Sequence, residues 1–280
     1  MDWFTENQTD NLRLSVSVKQ TLLDTRSEFQ HVSVVETEQY GTLLALDGFI
    51  QTNDVDEFVY HEMIAHVPLI THSNPRRVLV IGGGDGGAVR ECVKHASVER
   101  VDLVEIDGRV IDACRRFFPN IACELDNPRV RVHVADGIRF IQEVTDPYDV
   151  VIIDSSEPVG PGEGLFTPEF YGNVARALAP EGLMVAQTES PWINGHVVQR
   201  AYRGIRSAFP LTALYLANVP TYPTGMWSFT MGSKVHNPRR PVGLDRAAAL
   251  QTRYYTPEVH QAAFALPPFV AALWREVEAK

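Results

Sequence analysis

The stretch Val78-Leu-Val-Ile-Gly-Gly-Gly-Asp-Gly-Gly-Ala88 constrains this chain more than any other. Val78, Leu79, Val80 and Ile81 form a short apolar run, largely β-branched, that suits a strand buried on both faces. Five of the next six residues are glycine, so the backbone there can turn sharply, take positive φ and let a ligand approach closely. Ala88 to Lys94 reads as a helix. Strand, glycine loop and helix together make the first unit of a nucleoside-binding α/β fold. Asp85 narrows the ligand, because a carboxylate in this loop would repel a pyrophosphate seated against it. The part of the ligand near Asp85 is therefore expected to be neutral or cationic, which disfavours a dinucleotide or a nucleoside triphosphate. The alternative reading of Asp85 is a helix cap.

Beyond the loop, strand-like and helix-like segments alternate. Strands are expected at Val101–Glu105, Val130–Val134, Tyr148–Asp154 and Leu183–Gln187. Helices are expected at Arg109–Phe118, from Ile138, at Pro168–Leu178 and at Gly195–Phe209. Such alternation implies a parallel sheet wound on both sides. Two later stretches, Thr212–Asn218 and Trp227–Gly232, are expected to close it with an antiparallel pair, and the chain from Pro257 onward reads as helical. Ahead of the loop, alternating residues from 11 to about 52, with a hairpin signal at Asp47-Gly48, predict a small antiparallel β-domain. The expected division is residues 1–55 as a β-hairpin domain and 56–280 as a Rossmann-like domain. A helix from Thr52 to about Ile70 joins them, with Val59, Met63 and Val67 on its buried side and Tyr60 and His61 turned elsewhere. His61, Glu62 and His66 resemble a zinc-protease H-E-x-x-H, but the histidines are five apart and diverge, so a shared metal is not expected.

Ligands of such sheets bind beyond the carboxyl ends of the strands. Near the ends of the first four stand Asp85, Glu105, Asp136 and Asp154. Glu105 lies about twenty residues beyond the loop, where an acid accepts ribose hydroxyls. Each acid alone could cap the following helix, but four in register favour a ligand site. Asp154 opens Asp154-Ser-Ser-Glu-Pro-Val-Gly-Pro161, with Glu157 three residues on, and the glycine- and proline-rich loop can cover a bound substrate. Acids without a histidine cluster or a G-x-S-x-G elbow point to a cationic substrate. The 25 Lys and Arg against 35 Asp and Glu give a net charge of -10, which disfavours nucleic acid and anionic membranes. Three cysteines without a C-x-x-C pair suit a reduced compartment. With no basic, apolar leader at Met1–Asn7 and no apolar run near the ~20 residues that span a bilayer, a cytoplasmic protein is expected.

These motifs resemble those of the spermidine synthases, aminopropyltransferases of polyamine biosynthesis. The shared runs are Leu46–Thr52, Asp56–Met63, Ile81–Gly87, Val104–Asp107, Asp154–Pro161, Pro220–Gly225 and Arg253–Tyr255. The resemblance implies a class I methyltransferase-type Rossmann-like fold with the small N-terminal antiparallel β-domain. It further implies transfer of an aminopropyl group from decarboxylated S-adenosylmethionine to putrescine, giving spermidine and methylthioadenosine. By resemblance Gln30, His61, Gly82, Gly84, Asp85, Glu105, Ile106, Asp136, Gly137 and Pro161 hold the donor. Gln51, Tyr60, His61, Asp85, Asp154, Ser155, Glu157, Gln187 and Tyr222 line the amine channel, and Asp154 accepts the proton. Many members carry Asp where this chain has Glu157, which reaches further. The donor is a co-substrate, so no separate cofactor or metal is implied, and a homodimer or homotetramer is. Rival readings are a methyltransferase using intact S-adenosylmethionine, a noncatalytic polyamine-binding protein and, weakest, an NAD-dependent oxidoreductase.

Overall fold

The computed structural model describes residues 2–156 and 160–278, with side chains of 160, 161 and 276–278 left aside. Five strands open the chain: β1 (Asp2–Thr9), β2 (Leu12–Arg26), β3 (His31–Thr37), β4 (Thr42–Leu46) and β5 (Phe49–Asn53). They form one antiparallel sheet in sequence order. The expected hairpin forms with Asp47 and Gly48 both at positive φ, 49° and 87°, the geometry that matches strand twist. Two features escape the alternation rule. β1 lies ahead of residue 11, where polar residues on both faces conceal it. β2 continues past Val18 because irregularities at Val18/Gln20 and Thr21/Leu23 shift which residues face inward.

The second sheet is assembled from β6 (Arg77–Gly82), β7 (Arg100–Glu105), β8 (Val130–Val134), β9 (Tyr148–Asp154), β10 (Leu178–Gln187), β11 (Leu211–Asn218) and β12 (Met226–Ser233). Its spatial order is β11-β12-β10-β9-β6-β7-β8, with β6 to β10 parallel and β12 antiparallel to both neighbours. The closing antiparallel pair thus inserts its second strand next to β10. Order reverses at β6, which places the crevice beyond the glycine loop.

Alternate residues of the central strands enter two cores. Val78, Val80, Val150, Ile152, Leu183 and Val185 pack on one face with helices α1 (Glu57–Thr71), α2 (Gly87–Val93) and α3 (Gly108–Phe117). Leu79, Ile81, Val151, Ile153, Met184 and Ala186 pack on the other with α4 (Gly137–Gln142), α5 (Pro168–Ala177) and α6 (Gly195–Ala208). This double burial is why the strands read as continuous apolar runs. α1 departs from its expected single buried face: every residue but Phe58 is buried. It lies between the parallel sheet and α2, so even Glu57, Glu62 and His66 are enclosed. The helical tail breaks around Pro267, giving α8 (Pro257–Ala263) and α9 (Pro268–Glu278) after a short α7 (Leu244–Ala247). Proline has no N–H to continue the ladder. Among the described residues no helix is long and apolar enough to cross a membrane.

Candidate active site

The carboxyl ends of the parallel strands converge on a cleft of about 920 Å³. The glycine loop brings Gly82, Gly84 and Asp85 to it; the end of β7 brings Glu105 and Ile106; the β8–α4 turn brings Asp136 and Gly137. β9 supplies Asp154 and Ser155, and α1 supplies Tyr60 and His61. Gln30 and Gln51 enter from the N-terminal sheet, and Tyr222 from the β11–β12 connection. A smaller recess of about 280 Å³ continues past Gln51, Tyr60, Ser155 and Tyr222 to Gln187 and Trp227. Glu157 lies outside the described residues. Pro161 falls in the 3₁₀ segment Gly160–Phe166, but its side chain lies outside them too.

Asp154 lines the cleft beside Tyr60, which borders both cleft and recess. Its Oδ1 accepts a 2.6 Å hydrogen bond from the Tyr60 hydroxyl, while the buried Oδ2 has no hydrogen-bond partner among the described residues. Burial, then the charge of Asp85, pushes its carboxyl up to about 6, against the opposing pull of His61 and Tyr60. Gly83, at φ 66°, lies so close that an added Cβ would sit 2.5 Å from Asp154 Oδ2. Burial and the negative charge of Asp154 push the Tyr60 phenol far up, so it remains a donor.

Asp85 takes up the capping reading through a hydrogen bond to the first residue of α2, and its other oxygen is engaged by a histidine of the protein itself. One carboxylate oxygen accepts from Gly87 N–H at 2.8 Å, which fixes the start of α2; the other faces His61 Nε2 at 3.2 Å. His61 Nδ1 meets Glu57 at 2.5 Å. Burial alone would lower the imidazolium, but the charge and hydrogen bond of Asp85, then Glu57, outweigh it and hold His61 well above the ordinary histidine range. Asp85 is likewise favoured toward the neutral form by burial, yet His61 more than offsets this and keeps it ionised. His61, Asp85 and Asp154 offer polar atoms within 4.8 Å of one another.

Glu105 is buried at the end of β7 and accepts Asp107 N–H at 2.9 Å. Burial first, with Asp107 charge adding, pushes its carboxyl up to about 7 although backbone donors pull the other way. Asp136 is half-exposed and accepts Ile138 N–H at 2.8 Å; it caps α4 and also lines the cleft. Gln30 reaches across from the N-terminal sheet and donates to Asp107 at 3.0 Å. In the recess, Tyr222 donates to the Gln51 carbonyl at 2.6 Å, and Gln187 to the Ser155 carbonyl at 3.1 Å. Tyr222 packs against Tyr60 and Trp227.

Sequence reasoning missed three parts of this site. Leu44 and Leu46 of β4 form an apolar wall, but resemble any inward strand residues. Trp227 closes the recess and reads only as a strand aromatic. Glu57 and Arg90 stand behind His61; the four-residue spacing of Glu57 and His61 on α1 was the available signal.

Residues 57–240 match the family model described as the spermine/spermidine synthase domain, and residues 2–54 match the spermidine synthase tetramerisation domain. A polyamine aminopropyltransferase of Moorella thermoacetica is 54% identical over 268 residues, covering 96% of this chain and 94% of that protein. The Bacillus subtilis polyamine aminopropyltransferase is 50% identical over 271 residues, covering 97% and 98%. A crystal structure of a spermidine synthase in complex with the transition-state analogue AdoDATO superposes with a TM-score of 0.96 at 40% identity, covering 98% of this chain and 95% of that one. With family models matching residues 2–54 and 57–240 and relatives about half identical over nearly its whole length, the chain belongs to the spermine/spermidine synthase family of polyamine aminopropyltransferases.

Proposed function

We propose that this enzyme moves the aminopropyl group of decarboxylated S-adenosylmethionine to putrescine, giving spermidine and 5′-methylthioadenosine. The observation that carries this reading is the buried Oδ2 of Asp154, without a partner among the described residues and set against Gly83 of the glycine loop. Asp154 is the proton acceptor. An alkylamine has a pKa near ~10.4 in water, so putrescine arrives protonated and must lose a proton before it attacks. Burial lowers that pKa, and a carboxylate at about 6 is ionised at neutral pH and able to take the proton. The amine nitrogen then bonds to the carbon attached to sulfur, the C–S bond breaks, and its electron pair neutralises the sulfonium. The sulfonium is a good leaving group, so the displacement calls for no redox cofactor or metal.

The remaining roles are those the family resemblance implies, and for the described residues the lining of the cleft and recess supports them. Glu105 accepts the ribose hydroxyls, Asp136 with Gly137 faces the adenine, and Gln30, Gly82, Gly84, Ile106 and Pro161 complete the donor site. Asp85 and His61 flank the donor's cationic end. Gln51, Tyr60, Ser155, Glu157, Gln187 and Tyr222 hold the acceptor, whose distal ammonium enters the recess. The AdoDATO complex of the structural relative supports a site that accommodates both partners at once. The match of residues 2–54 to a tetramerisation domain supports a division near residue 55 and assembly through the N-terminal sheet, as a homotetramer rather than a homodimer. Three free cysteines, two of them buried, support a cytoplasmic enzyme.

Incubation of the pure protein with decarboxylated donor and a panel of diamines, with products identified by mass, tests the reading. Spermidine and methylthioadenosine are expected from putrescine. Methyl transfer from intact S-adenosylmethionine without any aminopropyl product would sink it.

A further inference from the structure

Ionisable side chains, most of them buried, run without a break between α1 and α2. From Asp85 the run passes to His61 Nε2 at 3.2 Å and from His61 Nδ1 to Glu57 at 2.5 Å. Arg90 grips Glu57 with two nitrogens, at 2.8 and 3.0 Å. Its Nε turns to Glu91 at 2.8 Å, and Glu91 meets His66 at 3.0 Å. Glu57 and His61 are one turn apart on α1, so their side chains share a face. A bidentate guanidinium fixes a carboxylate in orientation as well as in charge. On its remaining side the His61 ring presses on Gly87, where any side chain would collide with it.

The arrangement is asymmetric at its active-site end. Asp85 and Asp154 lie close enough to compete for one proton, since neighbouring buried carboxylates disfavour double ionisation. Asp85 receives a hydrogen bond from His61; Asp154 receives one from the neutral Tyr60 phenol. The titratable and charged groups facing His61 are Glu57 from its own helix, with Arg90 of α2 behind it, Asp85 from the glycine loop and Asp154 from β9. The Tyr60 ring meets it edge-on.

We propose that Glu57, gripped by Arg90, is a positioning residue for aminopropyl transfer: it holds His61 doubly protonated against Asp85. It thereby decides which of two neighbouring carboxylates stays ionised and which receives the proton. The role in catalysis rests on the reaction proposed above; the protonation of His61 does not. Replacing the Glu57 carboxylate by an amide removes one of the two charges that stabilise the imidazolium. Once His61 is neutral, Asp85 loses its compensating cation and Asp154 loses the nearby positive charge that opposes its protonation. Asp154 then binds its proton more tightly, and activity requires a higher pH.

The first readout is the ¹⁵N signature of the His61 ring in the ligand-free protein, followed against pH. Wild type is expected to keep the imidazolium pattern through neutral pH, Glu57→Gln to show a neutral ring there, and Glu57→Asp to restore the imidazolium. The second readout is the acid limb of kcat/KM with decarboxylated donor and putrescine. It should move up by about one pH unit in Glu57→Gln, the size expected for losing a charge at this range, and less, in the same direction, in Arg90→Lys. Glu62 lies buried on the same helix and accepts the backbone N–H groups of Arg253, Tyr254 and Tyr255. Glu62→Gln should lower Tm and leave both readouts in place. A folded Glu57→Gln whose His61 signature and acid limb coincide with wild type would overturn the proposal, and if that variant does not fold, an unmoved Arg90→Lys would do so. Absence of aminopropyl product from wild type, with the His61 titration as expected, would instead count against the proposed reaction.

Discussion

On the glycine-loop side of Asp154, the cleft is made from strand ends and the turns directly after them. Gly82 to Asp85, Glu105 with Ile106, and Asp136 with Gly137 each take their place from the local run of the chain, tied by hydrogen bonds to residues two or three away. On the Tyr222 side the wall is made from side chains that meet only in the folded molecule. Tyr60 reaches Asp154 across 94 positions, and Tyr222 reaches the Gln51 carbonyl across 171. The first side is preformed by secondary structure. The second is held by packing between elements, so its geometry is easier to alter without disturbing the sheet.

Asp154 lines the glycine-loop side and is tied to the other side through Tyr60, and its replacement should produce the largest effect. Asp154→Asn keeps the shape and loses the base, so kcat should fall by roughly 10²- to 10⁴-fold, while the donor dissociation constant changes little. Calorimetric binding of the donor beside steady-state turnover checks this. A parallel loss of both would mean that the two sides are not separable.

The same contrast explains what was legible in the sequence. The glycine-loop side of the cleft was legible because glycine spacing, strand-end acids and the twenty-residue interval to Glu105 are local patterns with a physical cause. That the sheet is parallel and covered on both sides followed from the alternation of elements and the continuous apolar runs, whereas its strand order, with β9 beside β6, is seen only in the structure. The acceptor side came from resemblance alone: nothing local to Gln51, Gln187 or Tyr222 distinguishes them from ordinary polar strand and loop residues. Glu57 and Arg90 were passed over because a Glu in the first turn of a helix and an Arg in a short one are usually solvated. Their burial depends on α1 being covered on every side, which periodicity reported only for the Val59–Met63–Val67 face. β1 was lost for a related reason, since an edge strand with little buried surface leaves no alternation to detect.

An effect confined to the donor side comes next in size. Glu105→Gln removes a charged acceptor of hydrogen bonds, worth about 1.5–3 kcal/mol, and should weaken donor binding by roughly 10- to 150-fold. The KM for putrescine at saturating donor should hold. On the opposite side, Tyr222→Phe deletes the bond to the Gln51 carbonyl, worth about 0.5–1.5 kcal/mol. It should raise the KM for putrescine by about two- to tenfold without changing donor affinity. Crossed effects in either variant would break the division.

The smallest expected signal sharpens the donor side further. With its carboxyl raised to about 7, Glu105 is half-protonated at neutral pH in the empty cleft. Ribose hydroxyls can donate to the carboxylate and not to an equivalent extent to the acid, so donor binding favours the ionised form and lowers the proton affinity of Glu105. Binding at pH 7 should therefore release about half a proton per site, and affinity should fall as pH drops below 7, where the proton must first be displaced. At about pH 8.5 the carboxyl is already ionised and the release should vanish. Calorimetry in buffers of different ionisation enthalpy reads the proton count directly, and Glu105→Gln should abolish it. If the release persists in that variant, the proton comes from Asp154 or the His61 imidazolium, and the ribose is not held where the end of β7 would hold it.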